Sequence, residues 1–149
     1  MDAAIYDCPR EWAGLLPPGT RRIGTPGELA EHLWPLLALS RAGCQDLEGR
    51  ERTAVCRILL APGDCPAALE GVRAEAVVTY GLSPRDSLTL SSLTRPVLCV
   101  QRALPRPDGG TVVPQELPLP PLPAPAEALL PLLGLRLLRM PLTEGRFPW

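Results

Sequence analysis

Apolar and polar positions follow two regimes along the chain. Up to about residue 85, short apolar runs alternate with brief helical signals; beyond it, polar–apolar alternation and proline take over. Residues 3–6 (Ala-Ala-Ile-Tyr) read as a first strand. Asp7-Cys8-Pro9 then opens a short helix through Leu16. Pro9 stands at its first position, where a missing N–H is harmless, and Pro17-Pro18-Gly19 ends it. Residues 21–23 suit a second, short strand. Thr25-Pro26-Gly27-Glu28 is a capping box with proline at the first helical position. Leu29, Leu33, Leu36 and Leu37 then share one helical face, with a kink or early end expected at Pro35. Residues 41–52 are charged and polar and read as a loop. Residues 54–61 (Ala-Val-Cys-Arg-Ile-Leu-Leu-Ala) form the clearest buried-strand signal. Pro62-Gly63-Asp64-Cys65-Pro66 turns into a short helix ending at Gly71, and residues 74–80 make another strand that stops at Gly81.

In the second half, Leu88 and Leu90 alternate with Ser and Thr over residues 87–92, the pattern of a half-buried strand. Residues 97–104 and 111–117 read as a hairpin around Asp108-Gly109-Gly110, with Pro114 placing the second strand on an edge. Residues 118–125 are a proline-rich connector. Its overlapping Pro-x-x-Pro spacing also suits peptide recognition, but a rigid linker is the simpler use. Residues 127–140 form a leucine-rich helix weakened by Pro131.

These elements predict one domain over residues 1–149 and the α/β class. A small Rossmann-like parallel sheet half (1–85) is followed by an antiparallel β-meander (86–117), the connector (118–125) and a C-terminal helix (126–140). Asp7-Cys8-Pro9 recurs as Asp64-Cys65-Pro66, and Gly24 recurs as Gly81 at the same offset. Chance and common helix-start chemistry explain the echo; two copies of one strand–turn–helix–strand unit also would.

Composition narrows the chemistry. With 20 Pro, 13 Gly and 4% aromatic residues among 149, the core must be aliphatic. Net charge is −1, which provides no long-range field for nucleic acid or an anionic membrane. All fifteen basic residues are arginine, so neither a Schiff-base lysine nor a phosphate-loop lysine exists. Tight ATP binding is therefore not expected, and no cofactor signature is present. The local basic groupings, Arg21-Arg22 and residues 50–57, lack interleaved aromatics for base stacking. The first ten residues have no basic, apolar leader pattern. The longest apolar stretch, residues 126–138, is interrupted by Pro131, Gly134 and Arg136 and falls short of the roughly 20 residues of a membrane span. Five cysteines without a leader suggest reduced, unbridged thiols in a cytoplasmic protein.

Candidate chemistry is sparse. Cys8 and Cys65 each follow Asp and precede Pro at a predicted helix start, where the dipole favours thiolate; packing of a small apolar residue in a capped turn is the simpler reading. Cys8, Cys44, Cys56, Cys65 and Cys99 show none of the two-to-four-residue ligand spacing of structural zinc sites. His32, the single histidine, is explained by an i, i+4 pair with Glu28. The strongest ligand-binding candidate is the loop after residues 74–80. Tyr80, Gly81, Ser83 and Arg85 should emerge at the C-terminal edge of the sheet, with Asp64 and Cys65 beside them. Gly81 allows close backbone approach, and Arg85 offers a fork to a carboxylate or phosphate. Alternatively, Arg85 pairs with Asp86 or Asp64 and merely ties two loops. The expected function is a non-catalytic binding or regulatory protein for a small anionic ligand, without nucleic acid or membrane partners. The alternative is a small thiol-dependent enzyme using Cys8 or Cys65.

One segment resembles a family. Ile58-Leu-Leu-Ala-Pro-Gly-Asp64-Cys-Pro66, followed by Val77-Val-Thr-Tyr80-Gly81-Leu82, looks like the end of the central domain of Mur ligases, the ATP-dependent amide ligases of peptidoglycan synthesis. Asp64 and Pro66 match that family's acidic turn, Cys65 replaces its second acid, and Tyr80-Gly81 matches its strand end. The likeness covers residues 55–92 and implies a shared fold fragment linked to cell-wall precursor metabolism. The missing phosphate loop and lysine exclude ligase activity from what it implies. Tyr80–Asp86 is also similar to a segment of small proteins from Clostridia-like bacteria, which implies no function.

Overall fold

In a computed structural model, the chain is described over residues 3–51, 54–92 and 94–149, without the side chain of Ala67. Met1 and Asp2 of the expected leader-free start lie outside these residues. So do Arg52 of the expected polar loop and Arg52 and Thr53 of the basic grouping. Ten strands are formed by the described residues: β1 (Ala3–Tyr6), β2 (Thr20–Ile23), β3 (Leu33–Leu39), β4 (Ala54–Pro62), β5 (Val72–Tyr80), β6 (Leu88–Leu90), β7 (Val97–Val100), β8 (Leu104–Pro105), β9 (Thr111–Val112) and β10 (Gln115–Pro118). Four α-helices accompany them: α1 (Pro26–Leu29), α2 (Arg41–Asp46), α3 (Ala67–Gly71) and α4 (Leu130–Arg139). Two 3-10 helices span Arg10–Leu15 and Ala126–Leu129.

Eight strands build one mostly parallel sheet in the order β10-β7-β6-β5-β4-β3-β1-β2. Strands β1 to β5 run parallel in the order 2-1-3-4-5, so the chain winds outward in opposite directions from β1 and from β3. β6 joins in parallel through Tyr80–Leu88, and β7 and β10 complete the sheet antiparallel. The expected hairpin is present in two pieces: β7 pairs with β10, while β8 and β9 make a separate two-stranded ladder.

One sheet face presents Ile5, Leu36, Ile58, Leu60 and Val78 to α4 and to Trp12 of the first 3-10 helix. The other presents Tyr6, Trp34, Leu37, Leu59 and Cys56 to Leu29 of α1, Cys44 of α2 and Ala68 of α3. Close approach is built in at two glycines. A Cβ on Gly134 would come within 2.7 Å of Leu60 Cδ2, and one on Gly43 within 2.6 Å of the Tyr6 carbonyl oxygen. Cores of this density do not absorb an added methyl without displacement.

Three sequence expectations are corrected. The capping box is real, with Thr25 Oγ1 accepting from the Glu28 N–H. However, the helix it starts covers only Pro26–Leu29, and Leu33, Leu36 and Leu37 belong to β3. Pro35 is tolerated there because pairing with β1 begins only at Leu37. Residues 41–46, expected as loop, form α2 because Ser40 caps it, its hydroxyl accepting from the Gly43 N–H at 2.9 Å. Pro131 does not weaken α4; it stands in its first turn, where proline belongs. Residues 119–125 adopt neither helix nor strand, and Leu119 and Leu122 pack against the core. Among the described residues no helix is long and apolar enough to cross a membrane.

Candidate functional site

The C-terminal ends of β1, β3, β4 and β5 carry the polar residues of two adjoining cavities. Asp7 follows β1 and takes a left-handed backbone, φ 58°, the one non-glycine residue to do so among those described. Such a conformation costs of order 1 kcal/mol and persists only where its surroundings hold it. Here the Ser40 hydroxyl donates to the Asp7 carbonyl oxygen at 2.7 Å, and the Asp7 N–H donates to the Ile23 carbonyl. Ser40 thus joins three elements: it caps α2, and its backbone N–H reaches the Tyr6 carbonyl.

Arg41 follows directly, and its Nη1 donates to both oxygens of Asp64, at 2.8 and 3.1 Å. Both partners are more than half exposed, so this pair orients two loops more than it stabilises the fold. After β5 the chain turns through residues 81–87. The buried carboxylate of Asp86 accepts from the Ser83 N–H at 3.1 Å and fills the space beside Gly63 and Gly81, where neither backbone leaves room for a Cβ. The Ser83 hydroxyl accepts from the Arg85 N–H, and Arg102 Nη2 donates to the Arg85 carbonyl at 2.6 Å. The Arg85 backbone is therefore held from two sides, while its guanidinium is exposed and, among the described residues, makes no ion pair.

Two cavities result, each of about 410 Å³. The first lies under residues 81–86 and is lined by Arg41, Asp64, Gly81, Ser83 and Arg85. The second spans the gap where the chain reverses direction between β1 and β3, lined among others by Asp7, Trp12, Ser40, Tyr80 and Glu127. Arg41, Gly81 and Leu82 border both, so the two cavities adjoin. In open α/β sheets, ligands bind in the crevice outside the strand ends at such a reversal point.

Of the residues singled out from sequence, Asp64, Gly81, Ser83 and Arg85 share one cavity. Tyr80 borders the other, but its side chain is buried and its hydroxyl donates to the Leu39 carbonyl at 2.7 Å, so it ties β5 to β3. Burial raises its phenol, with the Arg41 charge opposing and the Asp64 charge adding. Arg85 pairs with neither Asp86 nor Asp64. Cys65 is joined to Cys44 in a disulfide, which corrects the expectation of five free thiols. Cys8, Cys56 and Cys99 are free. Burial pushes the Cys8 thiol up to about 11, with Arg22 opposing and Asp7 and Glu11 reinforcing; an activated nucleophile needs the reverse. His32 contacts Arg21 and packs edge-on against Trp34, and it lines neither of these cavities. No group of three metal-ligating side chains comes together among the described residues.

Sequence reasoning missed Asp7, Trp12, Ser40, Arg41 and Glu127. Ser40 and Arg41 were legible in principle: once residues 33–39 are recognised as a strand, both fall at its C-terminal end. The strand–turn–helix–strand echo also maps onto the groove, since Asp7 and Asp64 both follow strand ends. The two turns nonetheless differ. Pro9 caps a 3-10 helix with ψ 138° and Pro66 an α-helix with ψ −23°. The helices lie on opposite sheet faces, Trp12 in one core and Ala68 in the other. Comparison with family models, with curated proteins and with solved structures finds no match.

Proposed function

We propose that this protein is a non-catalytic binding protein that holds a small anionic ligand in the groove between residues 81–86 and the strand ends. The observation that carries the reading is Arg85. Its backbone is fixed by Ser83 and Arg102 at the edge of the cavity, and its exposed guanidinium has no carboxylate partner among the described residues. An uncompensated guanidinium on an anchored backbone is the side chain best suited to a carboxylate or phosphate. Arg41 contributes less, because Asp64 already neutralises it. The Rossmann-like reading of residues 1–85 belongs to this proposal and is supported by the parallel order 2-1-3-4-5 and by the groove's place at the reversal. A role linked to cell-wall precursor metabolism rests on the Mur-ligase-like stretch, residues 55–92; a cytoplasmic location rests on the leader-free sequence pattern alone, because the Cys44–Cys65 disulfide removes the argument from reduced cysteines.

The test is a titration of isotope-labelled protein with inorganic phosphate and with acetate, followed by nuclear magnetic resonance. Saturable shifts centred on the backbone of residues 81–86 and the Arg85 side chain are expected. Shifts scattered over surface arginines, or none at all, would overturn the reading.

A further inference from the structure

The second cavity has the opposite electrostatic character. Asp7 and Glu127 line it, both are exposed at its rim, and among the described residues neither carboxylate has a salt-bridge partner. Arg41, its one cation, is engaged by Asp64. Deeper in the same cavity lies Trp12, 9% exposed. Its indole N–H donates to no described residue and is left to solvent in the cavity. Leu82, Leu130 and Pro131 supply apolar wall. The two adjoining cavities therefore offer an unpaired guanidinium at Arg85 in one and two unpaired carboxylates at Asp7 and Glu127 in the other, with apolar wall and an indole N–H beside them.

Resting on the anion-binding reading above, we infer that the ligand is a zwitterion with an apolar body, of the amino-acid or short-peptide class. Its carboxylate is held at Arg85 and its ammonium at Asp7 and Glu127. Charge complementarity selects this occupant: a simple anion entering the second cavity would meet two like charges, whereas an ammonium there replaces lost hydration with charge-assisted hydrogen bonds. Trp12 adds a donor for a carbonyl oxygen of the ligand. Each cavity, at about 410 Å³, lies within the range of small-molecule sites.

The experiment titrates the full chain with dileucine, N-acetyl-dileucine and dileucine amide, with acetate as the simple anion. Chemical shifts of residues 81–86 and of the Trp12 indole N–H report the two cavities separately. Dileucine is expected to bind, and both blocked forms roughly tenfold more weakly. In the Asp7→Asn, Glu127→Gln double variant, dileucine and its acetylated form should bind alike. Asparagine also tolerates the left-handed backbone at position 7, and a second variant, Glu127→Gln alone, keeps the test open should the first fold poorly. Equal binding of dileucine and N-acetyl-dileucine by the unaltered protein would overturn the zwitterion assignment. So would acetate binding at Arg85 without any dileucine binding, which leaves the anion reading standing. If neither acetate nor dileucine shifts residues 81–86, both readings fall together.

Discussion

Gly43 of α2 lies directly against Tyr6 of β1: a Cβ at this position would stand 2.6 Å from the Tyr6 carbonyl oxygen and 2.9 Å from its ring. This contact sets how closely α2 sits on the sheet, and so where Ser40 and Arg41 enter the groove. Gly43→Ala should therefore destabilise the protein by about 1–3 kcal/mol, the usual cost of overfilling a packed contact. Gly14→Ala, where a Cβ meets nothing within 4 Å, should be close to neutral. Urea unfolding of both variants checks this, and equal stability of the two would contradict it.

Arg106 is a buried charge of the C-terminal half. Its Nη1 donates to the Leu137 carbonyl at 2.6 Å and its Nη2 to the Met140 carbonyl at 2.9 Å, closing the end of α4. Arg106→Met leaves those carbonyls without their donors and should cost about 2 kcal/mol. The exposed Arg95→Ala should change stability by less than about 0.5 kcal/mol. Thermal unfolding of the two variants separates a capping role from a general effect of losing positive charge.

The Cys44–Cys65 disulfide ties α2 to the turn bearing Asp64, across a sequence separation of 21. Thiol counting in denaturant without reductant should give the three free cysteines Cys8, Cys56 and Cys99. Reduction should lower stability by about 3 kcal/mol on the chain-entropy view. A count of five would show the bridge absent. Because structural disulfides persist in oxidising compartments, the count also bears on where the protein works.

Two free thiols set an alkaline limit. Burial moves Cys8 from its ordinary value of 9.0 up to about 11, and Cys56, beside Glu75, up to about 12. Both groups hold their protons more tightly folded than unfolded. Their contribution is whole below pH 9 and is lost as pH rises through 9 toward 11 and 12. Stability measured by urea at pH 8 and pH 10.5 should fall, and by less in a Cys56→Ala variant measured against its own pH 8 value. A stability that rises across this interval would contradict the burial argument.

Sequence signals located the elements that local turn and cap chemistry bounds. β4 and β5, the α1 capping box and the α3 turn are all where residue pattern and turn chemistry place them. β3 defeated the same logic for a physical reason. Leu36 and Ala38 face one core while Trp34, Leu37 and Leu39 face the other, so the strand is apolar at nearly every position and its period is unreadable. α2 was hidden because six residues of mixed polarity carry no periodicity, and its Ser40 cap stands in the middle of what then looked like a helix and loop. The disulfide followed from that loss, since Cys44 and Cys65 meet only once α2 is folded against the sheet. For the site, Asp64, Gly81, Ser83 and Arg85 were legible as residues at strand ends. Asp7 and Glu127 were not, because what brings them together is the reversal between β1 and β3 and the return of the chain through Ala126–Leu129.

On the proposed reading, Arg85 serves to receive an anion rather than to hold the fold. Its most direct test is Arg85→Ala, with phosphate affinity measured by calorimetry and stability by thermal unfolding on the same preparations. The account predicts about a tenfold loss of affinity with stability changed by less than about 0.5 kcal/mol. Unchanged affinity, or a variant that no longer folds, would contradict it.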